Sequence, residues 1–259
     1  MVEYSIVISA FNEQAVISSS LTQIINFMNS YSSSYEILVV DDGSTDDTSK
    51  VVDEYSKSYP QVNLIRNPHK GKAFGVRTGV KNSGGKYILF CDADMATPIE
   101  ELKRLMVWIK DSNFDVVIAS REGIGAKRSH EPILRHIMGR IFNLIIKILL
   151  LPGIQDTQCG FKVFKSEVAK LAFDGMILFG DNLPTVKRPR VTAFDVELLV
   201  ILKRMKYRVK EVPISWTYAP TSRVNPITDS IDLFFNVLSV KFYDILGKYS
   251  KKEALWNYV

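Results

Sequence analysis

KYILFCDADMATPIEELKRLMVWIKDSNFDVVIAS (86–120) runs from an apolar segment of strand length, through two carboxylates, to a helical stretch near 98–110 and a second apolar segment, FDVVIAS (114–120). Strand, helix and strand in so short a span form a βαβ unit, which requires parallel pairing. The same alternation extends back to residue 4. YSIVISAF (4–11) precedes a helix near 14–31, and EILVVDD (36–42) follows a Ser-rich turn and precedes a helix near 46–58 opened by Asp46. VNLIRN (62–67) precedes a Gly-punctuated helix near 71–83. The expectation is an α/β domain whose mostly parallel sheet is flanked by helices. Ligands of such sheets bind beyond the carboxyl ends of the strands. The polar clusters FNE (11–13), DDGSTD (41–46), DAD (92–94) and SRE (120–122) all fall there.

Beyond residue 120 the pattern is less regular. Helices are expected near 131–151, 166–172, 194–205 and 226–247, a strand at RVKEVPISWTY (208–218), and no regular structure over 175–192. No internal repeat or low-complexity linker divides the 259 residues, which suit one large domain. With 46% hydrophobic and 24% charged residues, a disordered or fibrous chain is excluded. Cys91 and Cys159 are too few for a disulfide framework and predict a reducing compartment and buried thiols. The start MVEYSIVISAFNE lacks the basic region of a signal peptide. The longest apolar run, 141–154, is interrupted by Asn143, Lys147 and Pro152, so a soluble or peripheral protein is expected.

The net charge of +5 is unevenly placed. Residues 1–120 hold 11 Lys+Arg against 15 Asp+Glu, whereas residues 121–259 hold 22 against 13. A basic second half suits either an anionic partner or solvated helix faces. Within it, Leu134, Ile137, Met138, Ile141, Phe142, Ile145, Ile148 and Leu149 recur at three- and four-residue steps, with Arg135, Arg140, Asn143 and Lys147 on the other side. Such a helix fits a membrane interface, while pattern alone favours a core-facing position with a basic outer face. Ile231, Phe234, Phe235, Leu238, Phe242 and Ile245 make a second apolar stripe. Aromatics confined to apolar stripes exclude an interleaved basic–aromatic surface for nucleic acid.

Asp92 and Asp94, two residues apart at a strand end, can supply hard oxygen ligands to Mg²⁺ or Mn²⁺, or can serve as a polar strand terminus. Asp41-Asp42 is a second acidic cluster, with a turn and helix cap as its structural alternative. In HKGKAFGVRTGV (69–80), glycines every fourth residue suit close approach of one helix face to the sheet, while the role of Lys70, Lys72 and Arg77 stays open. His69, His130 and His136 are dispersed and make no triad or zinc set.

FNE, DDGSTD, DAD, SR (120–121), DTQCGFKVF (156–164) and FDVELL (194–199), in that order, resemble the family 2 glycosyltransferases, and specifically the polyprenyl-phosphate hexose synthases. The resemblance covers roughly 1–225. It implies a GT-A (Rossmann-like) fold for 1–225, with 226–259 as an amphipathic helical extension packed on it. It also implies inverting transfer of a hexose from a nucleotide sugar to polyprenyl or dolichyl phosphate, with Mg²⁺ or Mn²⁺. By the same resemblance Phe11, Glu13, Val40, Asp42, Asp92, Ala93 and Arg223 bind the donor, and Asp92 and Asp94 the metal. Arg121, Arg135 and Arg140 hold the acceptor phosphate, and Asn143 matches the same pattern. Ser9 stands where the family usually has proline, and Arg223 where it usually has lysine. A residual base, if one is used, would be Asp156, with Asp195 and Glu197 behind it. WTYAPTSR (216–223), DTQCGFKVF and DADMAT resemble the glucosyl branch, favouring UDP-glucose over GDP-mannose. A catalytically inactive nucleotide-sugar-binding module is the other reading. The implied location is peripheral, on the cytoplasmic face of a membrane, with a membrane-anchoring partner as an alternative attachment.

Overall fold

The computed structural model describes residues 2–186, 192–219 and 226–249. The first half alternates as expected: β1 (Tyr4–Ala10), α1 (Ile17–Tyr31), β2 (Tyr35–Asp41), α2 (Thr48–Ser58), β3 (Val62–Arg66), α3 (Lys72–Asn82), β4 (Tyr87–Asp92), α4 (Glu101–Lys110) and β5 (Val116–Ser120). The second half adds β6 (Lys127–Ser129), α5 (Ile133–Leu149), β7 (Phe161–Lys165), α6 (Ser166–Asp174), α7 (Phe194–Arg204), β8 (Val209–Pro213), β9 (Ser215–Thr217) and α8 (Pro226–Ile245).

Seven strands form one sheet in the order β3-β2-β1-β4-β7-β5-β8. All its pairings are parallel except those of β7, which runs antiparallel to β4 and β5. The strand expected over 208–218 divides at Ile214. Its first part joins the large sheet beside β5, and its second part pairs with β6 in a two-stranded sheet.

Because side chains alternate across a strand, each central strand feeds two cores. Ile6, Ile8, Leu89 and Cys91 pack with Leu21, Ile24, Leu102 and Leu105 from α1 and α4. Val7, Ile88 and Phe90 pack on the other side with Val76, Val80, Phe173 and Phe194 from α3, α6 and α7. The glycine spacing in α3 has the reason inferred from sequence. A Cβ on Gly75 would overlap the Ser9 hydroxyl, and one on Gly79 would overlap Val7, so the helix lies directly on β1. Burial raises both thiols, Cys159 to about 12, in keeping with small apolar residues.

Helix α5 divides its apolar residues between the core and the surface. Ile133, Leu134, Ile137, Ile141, Leu144 and Ile148 face outward, with Ile133 78% and Ile148 73% exposed. Asn143 and Ile146 are buried, and Phe142 and Leu149 pack against the core beside them. The core-facing reading therefore holds for one side of the helix, where apolar contacts accompany a polar brace described below, while the opposite apolar side is exposed. Helix α8 packs beside α5 and α7, burying Val237 and Val240 while Phe235 and Phe242 stay 60% exposed. Among the described residues, no helix is long and apolar enough to cross a membrane.

Candidate active site

The expected polar clusters meet at the carboxyl ends of β1, β2 and β4. The FNE and DDGSTD loops interlace: Asn12 N–H donates to Ser44 Oγ at 2.8 Å, Thr45 N–H to Asn12 Oδ1 at 2.7 Å, and Glu13 N–H to Thr48 Oγ1 at 2.7 Å. Asp42 accepts the N–H groups of Lys70 at 2.9 Å and Gly71 at 2.8 Å, and pairs with His69 Nδ1 at 2.7 Å. The His69 ring lies parallel to Phe11 with centroids 3.9 Å apart. Sequence reasoning passed over His69 because its partners sit 27 and 58 residues upstream. The Val40 side chain is fully buried beneath Gly79, which leaves its backbone as the part that could face a donor.

Strand β4 ends at Asp92, and the chain turns through Met95, whose φ of 49° breaks the extended run. Ala93 is buried, and its carbonyl accepts Ser20 Oγ–H from α1 at 2.6 Å. Asp94 accepts Ala96 N–H at 3.0 Å. Burial, and then the neighbouring Asp92 charge, raise the Asp94 pKa. Lys72, at the start of α3, is ion-paired with Asp92. Burial works against the Lys72 charge, but Asp92, Asp195 and Asp94 outweigh it and hold its pKa above the usual lysine value.

Two like-charged carboxylates at one strand end suit a Mg²⁺- or Mn²⁺-sized ion, whose other ligands are substrate phosphate and water. Among the described residues no third His, Cys, Asp or Glu joins them in a closed metal cage. That donor set fits an ion shared with a diphosphate.

The acceptor candidates gather around β9. The Arg121 guanidinium sits 5.3 Å from the Trp216 ring centroid, and Arg135 sits 5.0 Å from that of Tyr218. The two rings are themselves neighbours, with centroids 6.2 Å apart. Each arginine thus lies over the electron-rich face of an aromatic ring, which favours the cation. Arg140 instead pairs with Glu122 at 2.8 Å. Arg223 lies outside the described residues.

DTQCG (156–160) joins the two halves of the site. At one end Asp156, fully buried, takes Arg121 Nε–H at 2.7 Å and Nη2–H at 2.8 Å, together with the Arg121 backbone N–H at 2.9 Å. Burial alone would raise the Asp156 pKa, but Arg121 overrides it and holds the carboxyl far below its usual range. Such a group is a poor base. The expectation for Asp156 is corrected to positioning of Arg121. Asp195 is buried against Lys162, and burial raises its pKa, while Glu197 accepts the N–H groups of Ile177, Leu178 and Phe179 and the Tyr249 hydroxyl.

In the middle of the segment, Asn143 Oδ1 accepts Thr157 N–H at 3.2 Å and its hydroxyl at 3.1 Å, which explains why α5 turns a polar residue inward. At the other end, a Cβ on Gly160 would overlap the Asp92 carboxylate. Gly160→Ala must push that half-exposed carboxylate aside. If Asp92 serves the reaction, kcat/KM falls about a hundredfold, the cost of a misplacement of about 1 Å, with an unchanged circular dichroism spectrum.

Residues 5–172 match the model of glycosyl transferase family 2. This chain belongs to that family. Among relatives, this glycosyltransferase is 34% identical to the dolichyl-phosphate beta-glucosyltransferase of Dictyostelium discoideum, over 96% of its own length and 77% of the relative's. It is 30% identical to the Saccharomyces cerevisiae protein of the same description, over 95% and 76%. Its fold is similar to mannosyl-3-phosphoglycerate synthase from Rubrobacter xylanophilus, with a TM-score of 0.67 at 16% identity over 95% and 76% of the two chains. It is also similar to Mycobacterium tuberculosis glucosyl-3-phosphoglycerate synthase solved with Mn²⁺, UDP-glucose and phosphoglyceric acid, with a TM-score of 0.62 at 16% identity over 93% and 80%.

Proposed function

We propose that this glycosyltransferase moves glucose from UDP-glucose to dolichyl or a related polyprenyl phosphate, with inversion, at a membrane surface. The observation that carries this reading is the pair of guanidinium groups on Trp216 and Tyr218, joined by one five-residue brace to the Asp92–Asp94 strand end. The relatives' description supports the choice of sugar and acceptor. The nucleotide pocket is built by Phe11, Glu13, Asp42 and the 69–71 turn, with Ala93 as its floor. Asp92 and Asp94 would hold Mg²⁺ or Mn²⁺, which supplies Lewis-acid charge to the departing diphosphate.

The acceptor needs no strong base. A phosphate monoester has its second pKa at about 6 and is already mostly dianionic at neutral pH. What it needs is placement, and Asp156 fixes Arg121 for that task while Tyr218 seats Arg135. Arg135→Ala should raise the lipid phosphate KM roughly ten- to a hundredfold, the worth of a charge-assisted contact, and leave the donor KM nearly unchanged. Equal effects on both substrates would contradict this division.

Residues 226–259 act in this reading as an extension of the 1–225 catalytic domain, and α5 with α8 rests on the cytoplasmic face of the bilayer. The outward Ile, Leu and Phe side chains enter the acyl boundary while Arg140 and Lys147 meet anionic headgroups. The protein should co-sediment with anionic liposomes at low salt and be partly released as salt rises. Replacing the exposed Ile137, Ile141 and Ile148 by Ser should weaken binding about tenfold or more without unfolding. Indifference of the wild type to such liposomes would point to a membrane-embedded partner.

The donor is tested by supplying UDP- and GDP-sugars separately with polyprenyl phosphate and Mn²⁺. UDP-glucose should dominate. Preference for GDP-mannose would make this a mannosyltransferase, and no transfer from any donor would leave a nucleotide-sugar-binding module.

A further inference from the structure

Arg77 is a buried cation on α3, and its charged partners come from outside that helix. Asp181 accepts Arg77 Nε–H at 2.9 Å and Nη2–H at 2.7 Å, the two-bonded geometry that fixes a carboxylate most firmly. Lys81, one turn further along α3, donates to the same carboxylate at 3.1 and 3.2 Å. Together the two cations hold the Asp181 carboxyl far below its usual range. Asp181 lies in the stretch 175–186, which has neither helix nor strand, so its path depends on such pins. Glu197 holds the start of the stretch at 177–179, and Asp181 holds its middle. At its end Val186 N–H donates to the His69 carbonyl at 2.9 Å. His69 is thus gripped from two sides, because its ring also pairs with Asp42 and stacks on Phe11.

We propose that Asp181 is a positioning residue of the donor pocket, locking the 175–186 strap to Arg77 so that Val186 holds the 69–71 turn against Asp42 and Phe11. The proposal rests on the reading of that turn as a wall of the nucleotide pocket. Asp181 touches no substrate in this arrangement and acts only through the strap. Asp174 supplies the contrast. It lies 3.4 Å from both Arg77 and Lys81, but it ends α6 and is not part of the strap. If Arg77 needed only a counter-charge, the two carboxylates would be interchangeable. Because the strap must be placed, they are not. Their side chains are 54% and 62% exposed, so replacing either opens no cavity in the core.

The test is calorimetry of UDP binding in saturating Mn²⁺, with donor and acceptor KM, for the wild type, Asp181→Ala, Asp181→Glu, Asp174→Ala and Val186→Pro. Circular dichroism confirms the fold of each. Asp181→Ala should weaken UDP binding about tenfold, within the range of mutations that act through a packed network, and raise the donor KM alone. Asp181→Glu should recover most of the loss, and Asp174→Ala should stay within about twofold of the wild type. Val186→Pro removes the N–H that reaches His69. It should reproduce the donor-selective loss with Arg77 still paired, and it carries the test if Asp181→Ala fails to fold. If Asp181→Ala leaves UDP affinity unchanged, or Asp174→Ala lowers it equally, Asp181 is only a counter-charge and the proposal is wrong. Wild-type UDP affinity in Val186→Pro would overturn it as well. If the wild type binds neither UDP nor GDP in Mn²⁺, the donor-site reading itself fails, and this proposal with it.

Discussion

Asp94→Ala is expected to lower transfer at least about a thousandfold, because Lewis-acid stabilisation of a leaving diphosphate is worth several kcal/mol. The fold should survive the change. Asp94 contributes one bond to Ala96 N–H in a turn, and burial beside the Asp92 charge disfavours its ionised form. Thermal stability should therefore hold or rise slightly, while Mn²⁺ binding measured directly should weaken. Wild-type turnover in the variant, or in excess EDTA, would contradict the assignment of Asp94 as a metal ligand.

Asp156→Asn is expected to act on stability as well as on transfer. It leaves the Arg121 guanidinium buried with no counter-charge, a change that costs about 3–5 kcal/mol where one partner of a buried pair is removed. For a chain of this size that is a fall in Tm on the order of 10 °C. The sign of the pH dependence follows from the depressed Asp156 pKa. A carboxyl held below its unfolded value of about 3.9 contributes its full stability above that pH and loses it only as pH falls toward the folded value. Kinetically, the lipid phosphate KM should rise because Arg121 is no longer fixed, and the acid limb of the pH–rate profile should keep its position. A lost acid limb with an unchanged KM would restore Asp156 as a base.

The first half of the chain was legible because its pattern is local. Each strand, its polar end and the following helix lie within about 35 residues, and the period changes from 2 to 3.6 between them. The placement of FNE, DDGSTD and DAD at one edge of the sheet follows from parallel pairing alone. What could not be read was non-local. Strand β7 enters antiparallel between β4 and β5, and FKVFK carries no mark of its direction. Lys162 in that strand is fully buried against Asp195, a position that composition assigns to a hydrophobe. Gly160 is a site residue because of what it leaves room for, which becomes visible only when Asp92, 68 residues earlier, lies beside it. Trp216 and Tyr218 read as strand residues, and their role as seats for Arg121 and Arg135 depends on the small β6–β9 sheet. Helix α5 shows the limit of periodicity: its pattern is the same whichever apolar residues point in, and the bonds of Thr157 to Asn143 together with burial of Ile146 orient it.

The most direct measurement supplies radiolabelled UDP-glucose and Mn²⁺ to the purified protein in detergent, with dolichyl phosphate in one arm and 3-phosphoglycerate in the other, and follows label into the organic phase. The account predicts an acid-labile glucolipid of β configuration in the dolichyl phosphate arm alone, lost in Arg135→Ala at low acceptor concentration. Label passing to 3-phosphoglycerate, with none in the organic phase, would contradict the account.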